Sequence, residues 1–428
     1  MTVSPSLRRA ARPFSPSAVT DLLPPGIRVL ALGEPTHGVE AFLDIRNELF
    51  RHLVTEHGYR SIAVESDCLA ALDVDAYVGA GAGVDVGADV GGGVGGAGGE
   101  PGLDRVVREG FSHGFGEFAG NHELVRWMRE FNLGLGEREE RLRFYGADGP
   151  LEMTGAAAPG PSLVRLRDFL AAHLPAELVL PDRELRRLCG PDERWTEPAA
   201  AFEPERSVGR SAEAGQLRLI ADELVTLLAT HGPQFAAEAD PEGHWRAQLA
   251  ARTATGLLRY HAAMADTGPD RLNSLMRQRS LMMADNLDAI TRREARRGPT
   301  LIFAHNRHLQ REAVHIPLGT HDLRWWSTAS LLATRLGGGY TFIATTFGHR
   351  APDDDPAPDT FEGHLATLPE PRTVLDPRLL AATPAGRAKP RVPADHTYFG
   401  LDPEALRSVD GVVFVREIAR QAGPFGGG

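Results

Sequence analysis

The chain has 428 residues, of which 42% are hydrophobic and 24% are charged, and its formal net charge at pH 7 is −11. This length predicts more than one domain, and the composition is typical of a globular, soluble protein rather than a disordered one. The negative charge opposes binding to nucleic-acid phosphates and to anionic membrane surfaces, so we expect neither kind of partner.

The first residues of the chain, 1–17, contain arginines but lack the apolar core of a secretory signal. We therefore expect a flexible leader in a cytoplasmic protein. No run of about 18 apolar residues follows, so the sequence predicts no membrane span.

Strand and helix patterns alternate in the first part of the chain. The apolar run at 27–32 predicts a buried strand, and a helical pattern follows at 39–57. A second buried strand is predicted at 61–65, with a helix after it at 69–78. This alternation is typical of a parallel sheet covered by helices.

A low-complexity segment of Gly, Ala, Val and Asp occupies 79–102 and contains a formal GxGxxG at Gly91, Gly93 and Gly96. No strand precedes this match, and so many glycines produce it by chance. The segment therefore predicts a flexible surface loop and not a dinucleotide site.

The remaining patterns complete an α/β protein with a mostly parallel central sheet, helices flanking it, and an inserted helical subdomain. We expect 18–150 and 271–428 to form the two parts of the α/β catalytic domain, and 151–270 to be the helical insertion. Further elements are predicted as helices at 103–109, 123–131, 277–293, 309–314 and 328–336, as strands at 141–148, 300–304, 340–346 and 409–416, and as mostly loop at 348–391.

Polar side chains follow three of the predicted strands. Glu34 and His37 come after the first strand, Glu65 ends the second, and His305 and His308 follow a later one. Because the carboxyl ends of parallel strands meet at one edge of the sheet, we expect these side chains to converge on a pocket.

Histidine exchanges protons near neutral pH, and a carboxylate beside it fixes its tautomer and stabilises its charged form. Such a cluster can activate water against a carbonyl. A divalent metal is an alternative occupant, with His37, Glu65, His305 and His308 as its ligands. The sequence has no GxSxG, which argues against a serine triad of the α/β-hydrolase type.

Arg46 lies nine residues after His37, about two and a half turns into the following helix. It is expected to pair with Glu65, to hold a substrate oxygen, or to remain a solvated helix residue. The tryptophans at 325–326 are expected to pack in the core. Ordinary surface or packing roles are predicted for His113, His122, His315, His321 and His349.

The segments GEPTHGVEAFLDIRNELF, YRSIAVESD and FAHNRH resemble the erythromycin esterases and their relatives, and so do ELVRWMREFN, RFYGAD and RQRSLMMADNL. The resemblance implies a hydrolase that opens a macrolactone ester without a serine nucleophile and without a required cofactor, while a divalent metal stays possible. It implies that His37 is the general base and Glu34 and Glu65 its supporting carboxylates. The other functional residues that it implies are Arg46, His305 and His308.

Arg307 departs from that family's pattern, in which a small residue usually stands between the two histidines. A long cation there would narrow the pocket or bind an anionic substrate. The substrate is expected to be a small molecule, a lactone or ester of macrolide or polyketide type. Two other functions stay open: a biosynthetic enzyme that cyclises, eliminates or rearranges such a molecule at the same acid–base site, and a non-catalytic binding protein.

Overall fold

The computed structural model describes residues 3–79, 101–136, 140–152, 155–178, 180–318, 321–351, 354–392 and 398–419. The strands in these ranges are β1 (Ala11–Pro13), β2 (Val29–Glu34), β3 (Ser61–Asp67), β4 (Arg143–Asp148), β5 (Leu151–Glu152), β6 (Gly155–Ala156), β7 (Thr300–His305), β8 (Ala313–Leu318), β9 (His321–Trp326), β10 (Tyr340–Arg350), β11 (Arg372–Leu375) and β12 (Gly411–Ile418).

Helices connect and cover these strands. They are α1 (Pro5–Ala10), α2 (Pro16–Thr20), α3 (Glu40–Glu56), α4 (Ala71–Gly79), α5 (Pro101–Gly110), α6 (Ala119–Leu133), α7 (Gly160–His173), α8 (Asp182–Cys189), α9 (Ala212–Thr230), α10 (Gly232–Glu238), α11 (Pro241–Met264), α12 (Arg271–Glu294), α13 (Asn306–Leu309), α14 (Thr328–Leu336), α15 (Phe361–Leu365) and α16 (Pro377–Leu380). No helix in the described part of the chain is long and apolar enough to cross a membrane.

One eight-stranded sheet forms the centre, in the order β1-β11-β12-β10-β2-β7-β3-β4. The neighbours from β12 to β4 are all parallel, whereas β11 pairs antiparallel with both β12 and β1. The predicted α/β class with a mostly parallel sheet is therefore confirmed.

Both faces of the sheet are buried, as β2 shows. Successive residues of this strand point to opposite sides, and all of them are buried. Leu30 and Leu32 pack in one apolar cluster with Phe42 and Ile45 of α3. Val29 and Ala31 pack in a second cluster with residues of α12 and α14. Helices thus cover both faces and leave the carboxyl edge of the strands as the place where polar residues gather.

The predicted helical insertion corresponds to α7–α11, whose apolar stripes form clusters separate from the sheet core. One cluster includes Leu163, Leu217 and Ala254, and another includes Leu166 and Phe235. Helix α11 packs along α12, which itself lies on the sheet. The helical insertion therefore contacts the sheet layer through this pair of helices.

Two predictions about local structure are wrong. Within the expected flexible leader, residues 3–17 form helix α1 and the edge strand β1 and begin helix α2. The segment 348–391 is mostly loop in its described residues, as predicted, but it also contains β11, which pairs with β12. Strands β1 and β11 are both short, and they form by pairing with neighbouring strands rather than from a long apolar pattern.

The second wrong prediction is the helix at 309–314. Helix α13 is a single turn that ends at Leu309, and the hairpin β8–β9 follows it. Val314 and Ile316 lie on either side of the polar His315, which is the period of a strand. In β9, Trp325 is buried as predicted, but its neighbour Trp326 is 61% exposed.

The glycine-rich loop predicted at 79–102 lies outside the described residues, except for its ends at 79 and 101–102. The GxGxxG match lies in that part of the chain as well. Description resumes at Pro101, where α5 begins.

Candidate active site

Neighbouring strands bring the predicted polar residues together. β7 lies between β2 and β3, and Glu34 at the end of β2 is in register with His305 at the end of β7. Glu65 lies near the end of β3, and His308 follows in α13. The structure thus places these residues, with His37, at the carboxyl edge of the sheet.

His37 lies between two carboxylates. Its Nδ1 is 2.7 Å from Glu34 Oε1, and its Nε2 is 3.9 Å from Glu65 Oε1. The short contact to a carboxylate acceptor places a proton on Nδ1. Burial would lower the pKa of His37, yet the negative charges of Glu65 and Glu34 together raise it above its ordinary value.

Glu65 is buried and receives donors on both of its oxygens. Oε1 accepts from His308 Nε2 at 3.1 Å and from Arg279 Nη2 at 2.9 Å, and Oε2 accepts from the backbone N–H of His305 at 2.8 Å. Burial would raise the pKa of Glu65, but His308, His37 and Arg279 hold it well below its usual range. Glu65 is therefore ionised at neutral pH.

His305 has both ring nitrogens engaged by backbone atoms. Its Nε2 is 3.1 Å from the carbonyl of Pro35, and its Nδ1 accepts from the N–H of Arg307 at 3.1 Å. Burial lowers the pKa of His305 well below its ordinary value. The ring is therefore neutral, and it fastens the loop after β2 to the start of α13.

Arg46 is buried behind Glu34, and amide and carbonyl oxygens satisfy it. Its Nη1 donates to Asn121 Oδ1 at 2.7 Å, and its Nη2 donates to Asn47 Oδ1 at 2.8 Å and to the carbonyl of Gly120 at 3.0 Å. Burial lowers the pKa of Arg46 to about 10, an effect that the charge of Glu34 opposes. Of the three alternatives for Arg46, the ion pair with Glu65 and the solvated helix residue are both wrong.

Arg279 of α12 takes the place expected for Arg46. The guanidinium bridges two carboxylates, because Nη2 contacts both Glu65 Oε1 and Asp148 Oδ2, the latter at 2.7 Å. His113 approaches the same Asp148 oxygen with Nε2 at 3.5 Å. Sequence reasoning missed all three residues, although Asp148 ends a predicted strand and so carried the same signal as Glu34.

A cavity of about 810 Å³ opens beside the cluster. Arg307 lines it and places its guanidinium over the ring of Phe399, 5.3 Å from the centroid, while Phe399 packs edge-on against His305. The Nε of Arg307 is buried without a hydrogen-bond partner, and Nη1 donates to Gln310 at 3.3 Å. Three carboxylates also line the cavity: Glu312, Asp402 and Glu404.

The side chains suggested as metal ligands do not fit a metal. Both nitrogens of His305 are occupied, and Glu65 Oε1 already accepts from His308 and Arg279. Among the described residues, no group of three or more His, Cys, Asp or Glu side chains is arranged to hold an ion.

Solved structures of low identity share this fold. A protein of Bacillus cereus is 15% identical with a TM-score of 0.68, and the alignment covers 96% of each chain. A succinoglycan biosynthesis protein is 18% identical with a TM-score of 0.67, over 97% of this chain and 96% of the other. A mutant of the erythromycin esterase EreC in its open conformation is 18% identical with a TM-score of 0.65, over 95% and 94%.

A search of curated proteins gave no match. The sequence model described as erythromycin esterase matches residues 54–418, which is most of the chain. This range includes Glu65, His305 and His308, and it begins after the segment with Glu34 and His37. The chain therefore belongs to the erythromycin esterase family of esterase-like hydrolases.

Proposed function

We propose that this protein hydrolyses a lactone or ester of a macrolide- or polyketide-like molecule, with water activated by His37. The observation that carries the proposal is the position of His37 between Glu34 and Glu65. One carboxylate holds the protonated nitrogen, and the other lies 3.9 Å from the nitrogen that takes the proton.

In this mechanism, His37 Nε2 removes a proton from water while Glu34 keeps the ring oriented through Nδ1. The imidazolium that forms is stabilised by the negative charge of Glu65. The resulting hydroxide attacks the carbonyl carbon. The side chain of His37 is 23% exposed, against 5% for Glu65, so water and substrate reach the histidine first.

We assign the second acid–base role to His308 and not to His305. His305 already uses both nitrogens on backbone groups. His308 uses only Nε2, on Glu65, and among the described residues its Nδ1 has no hydrogen-bond partner. A proton held there would stabilise the oxyanion or reach the leaving alkoxide.

Arg307 is proposed to bind the substrate in the adjoining cavity. Its buried Nε lacks an acceptor, so an oxygen atom of the substrate would satisfy it. The three carboxylates that line the same cavity favour a neutral acceptor, such as a carbonyl or hydroxyl, over an anionic group.

Incubation with erythromycin and with p-nitrophenyl acetate, followed by mass spectrometry, tests the proposal. A gain of one water on either substrate is the expected result. Unchanged mass with altered retention, or loss of water, would instead support the biosynthetic alternative at the same residues. Treatment with EDTA is expected to leave the rate unchanged, because the cluster does not present a set of metal ligands.

A further inference from the structure

Arg279 approaches the cluster from a helix outside the sheet. We infer that Arg279, held in place by Asp148, is a positioning residue that fixes the direction of Glu65 and, through it, of His37 and His308. This inference rests on the proposed function, since it names the groups that aim the catalytic histidines.

The fork of the guanidinium sets the geometry. Arg279 donates to Asp148 Oδ2 from Nε at 2.9 Å and to Glu65 Oε1 from Nη2 at 2.9 Å. An arginine presents its donors in a rigid plane, so two fixed contacts determine where the carboxylate oxygen lies. That oxygen is also the one that faces His308 Nε2 and His37 Nε2.

Asp148 is suited to hold this arginine because burial and hydrogen bonds fix its position. Its side chain is fully buried at the end of β4, and its Oδ1 accepts from the N–H of Gly149 at 2.8 Å. The backbone carbonyl of Asp148 accepts from Cys68. Only Oδ2 is therefore left to face Arg279 and His113.

His113 lies next to Asp148, with its Nε2 3.5 Å from Oδ2 but without a hydrogen bond to it. Its backbone φ is +59°, a left-handed conformation that no other non-glycine residue in the described ranges adopts. Glu152 holds that conformation, accepting from the His113 N–H at 3.2 Å and lying 3.0 Å from its Nδ1. Backbone strain of this kind persists where the surroundings over-determine it, often at functional sites.

Phe115 connects this corner back to the general base. Its ring centroid lies 5.6 Å from that of His113 and 5.1 Å from that of His37. His37 is therefore braced twice by the same network, by Glu65 on one side and by Phe115 on the other.

The test compares Arg279→Met with Arg277→Met, an exposed arginine on the same helix that pairs with Asp270. Arg279→Met is expected to lower kcat about 100-fold with KM changed far less, because misplaced catalytic groups cost rate and not binding. Arg277→Met should behave as wild type. The assay uses whichever of erythromycin and p-nitrophenyl acetate the wild-type protein hydrolyses.

Removal of the arginine leaves Asp148 buried and unpaired, which endangers folding. The double variant Arg279→Met with Asp148→Asn removes that charge, and it should show the same loss of kcat as the single variant. A double variant with wild-type kcat would overturn the inference.

A readout independent of activity separates this inference from the proposed function. Nitrogen-15 NMR of the histidine rings reports which nitrogen of His308 is protonated. Wild type should show Nε2 protonated and hydrogen-bonded, and the double variant should show a changed ring spectrum. An unchanged spectrum overturns the inference even where kcat falls. If the wild type hydrolyses neither substrate, the proposed function fails, while the spectrum still decides whether Arg279 positions Glu65.

Discussion

The two carboxylates that flank His37 have opposite surroundings. Glu34 makes one side-chain hydrogen bond, to His37, and its Oε2 is buried with no partner among the described residues. Glu65 accepts from a guanidinium, an imidazole and a backbone N–H. Burial raises the pKa of Glu34, whereas positive neighbours hold the pKa of Glu65 well below its usual range.

Two like groups with diverging pKa values divide the work of an acid–base site between them. The Glu34 side orients the histidine through one short contact. The Glu65 side supplies a permanent negative charge and links the site to α12. Both residues are glutamates, so the local environment of each carboxylate, and not its residue type, determines its role.

The largest effect is expected for His37, which both sides share. His37→Ala should lower kcat by about 10²–10⁴-fold, the contribution of a general base. His349→Ala, at an exposed histidine that pairs with Asp355, is the matched control and should leave kcat unchanged. Steady-state rates on a hydrolysed ester decide the matter, and equal rates for the two variants would remove His37 from the mechanism.

The pH dependence follows from the same contacts. A raised pKa on His37 means that the base becomes available only above the ordinary histidine value of about 6.5, so the acid limb of kcat/KM should lie above that pH. Glu65→Gln removes the main charge that raises this pKa. Its acid limb should therefore move to lower pH, and an upward shift would contradict the assignment.

The two carboxylates should also differ in how much they contribute to the free energy of unfolding. The lowered pKa of Glu65 stabilises the folded state above its unfolded pKa, a contribution lost as pH falls through the folded value. Glu65→Gln should thus lower the free energy of unfolding at pH 7 by about 3–5 kcal/mol. Glu34→Gln should lower it by less, because burial raises the pKa of Glu34 and makes its ionised form costly. Urea unfolding of both variants measures these free energies. A larger loss of stability for Glu34→Gln than for Glu65→Gln would contradict the difference between the two carboxylates.

Arg46 is expected to support the Glu34 side mainly through stability. Arg46→Met leaves the side-chain amide oxygens of Asn47 and Asn121 without this donor, at about 1–3 kcal/mol each, whereas the Gly120 carbonyl still accepts from Asn47 Nδ2. Arg51→Met removes a partly exposed arginine of the same helix and should cost less than about 1 kcal/mol. Similar urea midpoints for the two variants would show that Arg46 is not a structural residue.

Among the effects on catalysis, the smallest is expected at Arg307, which lies outside the cluster. Arg307→Ala should raise KM about tenfold, equivalent to the roughly 1.4 kcal/mol of one lost hydrogen bond, with kcat nearly unchanged. A fall in kcat without a change in KM would place Arg307 in the chemistry and not in substrate binding.

Much of the fold and the cluster follows from local patterns. Glu34, Glu65 and His305 end apolar runs, so strand polarity alone predicts that they meet. The partner of Glu65 could not be predicted in this way. Arg279 lies 214 residues after Glu65 in the sequence. A periodic pattern predicts a helix, but it does not indicate which carboxylate a side chain of that helix contacts.

The short strands β1 and β11 and the backbone contacts of His305 escaped prediction for a related reason. Ala11–Pro13 and Arg372–Leu375 become strands by pairing with neighbours distant in sequence. His305 became a neutral, structural ring because Pro35 and Arg307 present backbone groups to it. These features depend on tertiary contacts, which residue types and spacing do not specify.

Hydrolysis in oxygen-18-labelled water tests the central claim most directly. Wild-type protein is expected to place one labelled oxygen in the new carboxyl group of the opened lactone or cleaved ester, with none in the alcohol. His37→Ala should lose this incorporation along with the rate. Label in the alcohol, or product formed without label, would contradict attack of His37-activated water on the carbonyl.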